Sequence, residues 1–247
     1  MNSAAFWIAA GEPYLREAVK SAQSLRRHMP DVVRVLLTQN MYLGSYIRDT
    51  AAFNEVIGMV NPEPDEPWYP FSIACFEWAA RNLQAPLLEP TPDVLINLDV
   101  DTYVIQPFYD LLEVLTRFDV VGTHAPARYT SRTIGPVPEA FCELNLGMLA
   151  FRNSDKMRGV LREWARRYEA HKDVYGDNDQ ASLRETLWRT EDVRIWVAPP
   201  EYHFRFIFGG FARYPVRVLH GRAEDIEQVA YRVNKPLGMR IWKKGEL

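Results

Sequence analysis

Along the first forty positions the spacing of apolar residues changes twice. Phe6-Trp7-Ile8-Ala9-Ala10 is a continuous apolar run, Tyr14, Ala18, Ala22 and Leu25 recur at three and four residues, and Val32 to Thr38 is again continuous. That succession predicts a strand, a helix and a second strand, the βαβ unit of a parallel sheet. Gly11-Glu12-Pro13 supplies the turn, with Pro13 near the first helical position. Met29-Pro30-Asp31 ends the helix.

The same reading predicts a short helix over 42–52, a strand over 56–60, and a helix over 71–83 carried by Phe71, Ala74, Cys75 and Trp78. A strand follows at 94–98, then a helix over 108–115 and strands over 119–123 and 144–151. A long helix to about 169, capped by Asn153 or Ser154, turns Met157, Val160, Leu161, Trp164 and Tyr168 inward. Gly176-Asp177-Asn178-Asp179 makes a turn before a helix over 180–188, and strands follow at 193–197 and 216–219. Residues 61–70, with four prolines, and residues 125–138 read as loops over the mouth of a site. Tyr202, Phe204, Phe206 and Phe208 alternate with His203 and Arg205, which predicts an edge strand with one apolar and one polar face. Strands alternating with helices over this length imply an α/β chain whose mixed, mainly parallel central sheet is flanked by helices.

Val94-Leu95-Ile96-Asn97-Leu98 runs straight into Asp99-Val100-Asp101, a buried strand ending in two carboxylates. In an open α/β sheet the ligand crevice lies beyond the carboxyl ends of the strands, so these acids meet ligand while the strand fixes their backbone. Paired oxygen donors suit a divalent cation; the plain alternative is a turn with two solvated acids.

Charge and cysteine content narrow the picture. With 29 basic and 32 acidic residues the formal charge is −3, which gives no broad electrostatic reason to bind nucleic acid or an anionic membrane. The two cysteines, Cys75 and Cys142, lack a zinc spacing and read as core residues in a reducing compartment. The apolar start has no basic residues before it, so it reads as a strand rather than a signal peptide, and no transmembrane run is present. A cytoplasmic location is expected, with peripheral association at a membrane-borne acceptor left open.

Four motifs in fixed order then resemble one family. Leu98-Asp99-Val100-Asp101, Leu144-Asn145-Leu146-Gly147-Met148, Asp179-Gln180 and His220-Gly221 resemble the Asp-x-Asp, Asn-x-Gly, Asp-Gln and late His-Gly elements of nucleotide-sugar-dependent glycosyltransferases of the GT-A fold. The nearest group is the glycogenin-like and bacterial galactosyltransferase-like one, family 8. The resemblance covers roughly residues 5–222.

The resemblance implies a single GT-A-like domain over 1–247, with a nucleotide-binding half to about 123, an acceptor-side half to about 222 and a C-terminal tail after it. It implies transfer of a hexose from a nucleoside diphosphate sugar, UDP-linked before GDP-linked, to a hydroxyl of a glycan or small acceptor. Retention of configuration is implied, with Asp177, Asp179 or Glu143 as base if the enzyme inverts. Asp99, Asp101 and His220 would ligate Mn²⁺ or Mg²⁺, and Asp99 would also face the ribose. Ala9, Ala10 and Gly11 would edge the base, and Gly221 and Arg222 would meet the diphosphate, Arg222 standing where the family often has lysine. Asn145, Asp179 and Gln180 would surround the sugar and its anomeric carbon. Helix 71–83 offers only Arg81 where the family has a basic donor contact. Three rivals stand beside this reading: a sugar-nucleotide pyrophosphorylase-like nucleotidyltransferase, a non-catalytic glycan- or protein-binding member of the fold, and, weaker for want of further ligands beside the acid pair, phosphodiester hydrolysis at a metal site.

Overall fold

The computed structural model describes residues 1–39, 47, 50–59, 68–126, 132–176, 178–235 and 238–247. The helix expected over 42–52, most of the 61–70 loop, Arg128, Tyr129 and Asp177 lie largely or wholly outside the described residues, as do the side chains of Trp68 and Tyr69.

The expected βαβ start is present as β1 (Ser3–Ala9), α1 (Glu12–His28) and β2 (Val33–Thr38), followed by β3 (Glu55–Gly58). Next come α2 (Trp68–Asn82), β4 (Val94–Leu98), β5 (Thr102–Val104), α3 (Tyr109–Val114), β6 (Val120–His124) and β7 (Leu144–Arg152). The last third holds α4 (Asp155–Ala170), α5 (Lys172–Tyr175), α6 (Asp179–Arg189), β8 (Ile195–Ala198), β9 (Gly210–Ala212), β10 (Val218–His220), α7 (Ile226–Asn234) and β11 (Arg240–Trp242).

Seven strands form one sheet in the order β3-β2-β1-β4-β7-β6-β8. All neighbours run parallel except β7, which is antiparallel to both β4 and β6. The sheet is therefore mixed and mainly parallel, as expected. Its central strands β1 and β4 are buried along their whole length, which requires cover on both faces. One face packs Phe6, Phe76, Phe151 and Trp164 under α2 and α4; the other packs Trp7, Leu15, Leu25 and Leu36 under α1. Cys75 is a core residue of the first cluster, and burial pushes its thiol up.

One expectation is corrected. The 202–208 segment is not an edge strand but a pair of 3-10 turns, Pro200–Tyr202 and Phe206–Phe208. Pro200 begins the first turn, and Gly209, with φ +74°, turns the chain after the second, so the alternation buries Phe204 and Phe206 without extended pairing. In the tail after 222, α7 packs Val229 and Val233 into a third cluster with Phe204, Phe206 and Leu219, and β11 pairs with β9. No helix among the described residues is long and apolar enough to cross a membrane.

Candidate active site

At the carboxyl end of β4 the backbone makes a tight turn. Asp99 N–H donates to Gly147 O (2.9 Å), and the Thr102 amide and hydroxyl both donate to Asp99 O (3.1 and 2.7 Å). The turn delivers β5, which α1 holds through two buried serines one helical turn apart. Ser21 Oγ lies 2.9 Å from Thr102 Oγ1, and Val104 N–H donates to Ser24 Oγ (2.9 Å). β5 in turn pairs with β10, setting His220 opposite Thr102, and Gly221 N–H donates to Asp101 O (3.0 Å). A chain separation of more than a hundred residues thus closes through two three-residue strands.

The result is a cluster of Asp99, Asp101 and His220. His220 Nε2 lies 3.6 Å from Asp99 Oδ2 and 3.4 Å from Asp101 Oδ1, and the three donor atoms fall within 4.8 Å of one another. Two carboxylates and an imidazole are an acceptable donor set for Mn²⁺ or Mg²⁺, so the residues present fit a divalent ion. Gly147 makes the cluster sterically possible, because a Cβ there would stand 2.3 Å from His220 Cε1 and 3.0 Å from Asp99 Oδ2.

Behind His220 lies His203, which the sequence pattern had marked only as one of the polar positions between aromatics. His220 Nδ1 and His203 Nε2 are 2.7 Å apart, and His203 Nδ1 is 3.2 Å from Thr123 Oγ1. One proton lies between the two rings. If His220 carries it on Nδ1, its Nε2 lone pair is free for a ligand and His203 accepts, an outer-shell arrangement that fixes the ring. Burial, together with the charges of His220 and Arg205, holds His203 well below the usual imidazole range, so it stays neutral.

The two acids differ. Burial raises Asp99, with the charge of Asp101 adding to the rise and that of His220 opposing it, and its side chain, 46% exposed, lines two cavities. For Asp101 burial also pushes upward, but His220 and Arg222 outweigh it and the carboxyl lies below its ordinary value.

Two cavities meet at this cluster. The smaller, about 210 Å³, is walled by Asn97, Asn145, Gly147, Asp179 and Gln180; the larger, about 420 Å³, by Ala10, Tyr14, Val100, Asp101 and Arg222. Ile8, Asp99, Arg205 and His220 line both. Asn145 Oδ1 accepts from Gly147 N–H (3.0 Å), and Asn97 Nδ2 donates to Leu146 O (2.7 Å), so β7 is pinned at this point. α6 begins at the cavity, with Asn178 Oδ1 capping it by accepting from Ala181 N–H (2.8 Å). Asp179 is therefore in the first helical turn rather than its cap, and burial together with the nearby Asp99 raises it to about 7. Gln180 Oε1 is buried without a hydrogen-bond partner.

The remaining sequence candidates fall as follows. Ala10 lines the larger cavity, whereas the Ala9 side chain is packed in the core against the α1 side. Gly11, φ +81°, stands at the N-cap of α1. Gly221, φ +136°, packs where a Cβ would meet Ile207 at 2.7 Å. Arg222 is 3.6 Å from Asp101 but is gripped by Glu17. Glu143 is fully buried and lines neither cavity, and Arg81 pairs with Glu77 at 3.8 Å. Sequence reasoning missed Thr123 and Asn97 as supports and gave Arg205 no role.

This fold is that of known glycosyltransferases. No protein-family model matches the sequence, and no curated protein does. Among solved structures the chain is similar to the galactosyltransferase LgtC, crystallised with donor and acceptor sugar analogs, at TM-score 0.64 and 14% identity over 90% of this chain and 87% of that one. It is also similar to the glycosyltransferase GlyE of Streptococcus pneumoniae TIGR4, at TM-score 0.61 and 14% identity over 95% of this chain. The chain spans 60% of the length of GlyE. At this identity the likeness is one of fold.

Proposed function

We propose that the chain is a metal-dependent glycosyltransferase that moves a hexose from a nucleoside diphosphate sugar to a hydroxyl of a glycan or small acceptor, with retention. The observation that carries the reading is the pair of cavities joined at Asp99 and His220, one polar and lined by Asn145, Asp179 and Gln180, the other opening along Ala10 and Tyr14. A ligand with a sugar at one end, a nucleoside at the other and anionic charge between them fits that plan. The structural likeness to two glycosyltransferases agrees with it.

Asp99, Asp101 and His220 would hold Mn²⁺ or Mg²⁺, which when bound offsets the charge that develops on the departing diphosphate. In the transfer the acceptor oxygen bonds to the anomeric carbon as the bond from that carbon to the β-phosphate oxygen breaks. The bonding pair leaves with the diphosphate, and the acceptor proton passes to the departing phosphate oxygen. Gln180 offers its unpartnered carbonyl oxygen to a sugar hydroxyl, and Asn145 lines the same cavity. Asp179 accepts hydroxyl hydrogen bonds once ionised, and with its value raised to about 7 it is only partly ionised at neutral pH. Residues to about 123 supply the nucleotide side and those to about 222 the sugar and acceptor side. Uridine is the first base to test, on the strength of the sequence resemblance.

Calorimetric titration of UDP and GDP, with manganese and with chelator, tests the reading. Manganese-dependent binding of one diphosphate is expected. Binding of neither would turn the assignment to a non-catalytic member of the fold.

A further inference from the structure

Two arginines stand near the acid cluster, and their situations are opposite. Arg222, placed after His220-Gly221 where the resemblance puts a diphosphate contact, is already committed. Its Nε and Nη2 lie 2.7 and 2.9 Å from the two carboxylate oxygens of Glu17, a bidentate grip, and its side chain is 58% exposed. Any ligand calling on it competes with that carboxylate.

Arg205 is gripped by no carboxylate, although its charge reaches Asp99. It sits between the two 3-10 turns and lines both cavities. Its Nε is buried without a hydrogen-bond partner, and it forms no ion pair among the described residues. The Phe208 ring, 4.8 Å from its guanidinium carbon, steadies it from the side. A buried guanidinium N–H left unmade costs free energy, and in a folded protein such a group points to a missing acceptor. Arg205 shares the partition between the cavities with Asp99 and His220, so whatever spans the cavities passes it.

We infer that Arg205, rather than Arg222, is the side chain that binds the terminal phosphate of the donor's diphosphate, where the hexose is attached. This rests on the sugar-nucleotide reading above. The geometry separates the two phosphates by place. The phosphate next to the nucleoside belongs to the larger cavity, and the one bearing the hexose lies at the shared wall. Guanidinium is suited to that position because its planar fork meets two phosphate oxygens at once and stays charged throughout the reaction. Arg222 lines the larger cavity with its guanidinium held by Glu17 instead.

The test is calorimetric titration of the full chain with UDP and with UMP in manganese, for the parent, Arg205→Met, Arg205→Lys and Arg222→Met, each checked for an unchanged melting transition. UMP lacks the terminal phosphate. Arg205→Met is expected to weaken UDP roughly tenfold to a hundredfold, the loss of one charge-assisted contact, while leaving UMP within about twofold. Arg205→Lys keeps the charge without the fork and falls between, which preserves the test should the Met variant not fold. Arg222→Met is expected to change either nucleotide by less than about threefold. Equal losses for UDP and UMP in the Arg205 variants, or no loss for UDP, would overturn the inference while leaving the donor reading intact. A parent that binds neither nucleotide would overturn both.

Discussion

The first turn and the body of α6 carry buried carboxylates with opposite histories. Glu185, in the body of the helix, has a side chain with no exposure and four donors: the amides of Ile134 and Gly135 (2.8 and 3.2 Å), the Tyr175 hydroxyl (3.1 Å) and Arg189 Nε (2.8 Å). Burial alone would raise it, but the donors outweigh burial and hold it below the usual carboxylate range. Asp179, in the first turn, is relieved only by the backbone amides of residues 179 and 180, and is raised to about 7. One acid is satisfied by the fold, fixing the segment at 134–135 against the helix. The other is left wanting partners beside a cavity, which is what a ligand-facing group looks like.

The largest effect expected is at the satisfied acid. Glu185→Ala strips four donors of their acceptor and leaves Arg189 without its buried partner, so stability should fall by about 3–5 kcal/mol, read from the urea midpoint. A loss under about 1 kcal/mol would erase the contrast.

At the unsatisfied acid the sign reverses. Between about pH 4 and 7 native Asp179 keeps a proton that the unfolded chain has released, so stability drops as pH rises across that window. Asp179→Asn removes this liability. The variant should be more stable than the parent at pH 8, by at most ~4 kcal/mol from a shift of about three pK units, and equal to it near pH 3.5. Turnover should be lost at both. A variant no more stable than the parent at pH 8 would mean that Asp179 is as well satisfied as Glu185.

A smaller effect sharpens the comparison from the far wall of the cavity. Gly147→Ala forces a methyl group into His220 and Asp99, costing about 1–3 kcal/mol and lowering manganese affinity more than stability alone explains. Thermal melting with and without manganese checks it: the metal-induced rise in Tm should shrink.

Much of this was legible from spacing. β1, α1, β2, β4, β7 and α4 follow from runs and periods that packing had no reason to override, and Asp99 and Asp101 were visible because a strand of five buried residues points at them. The supports were harder to see. His220 reaches the acids only through pairing of β5 with β10, and each is three residues long, too short to leave a period. His203 and Arg205 did leave a signal, the polar positions of the 202–208 alternation. The pattern reads as a strand because 3-10 turns flanked by prolines and glycines can bury alternate residues as well. α7 also had its mark, Asp225 before Val229 and Val233, but nothing in the sequence says that those valines meet Phe204 and Leu219. Fourfold coordination of Glu185 was beyond sequence, since its donors come from three separate segments.

The central claim is that Asp99, Asp101 and His220 form one divalent-metal site facing a sugar nucleotide. Crystals grown with manganese and UDP, measured at the manganese absorption edge, test it most directly. The account predicts a single strong anomalous peak bounded by those three side chains, with the diphosphate beside Arg205. No peak there, or a peak elsewhere with the three side chains unmoved, would contradict it.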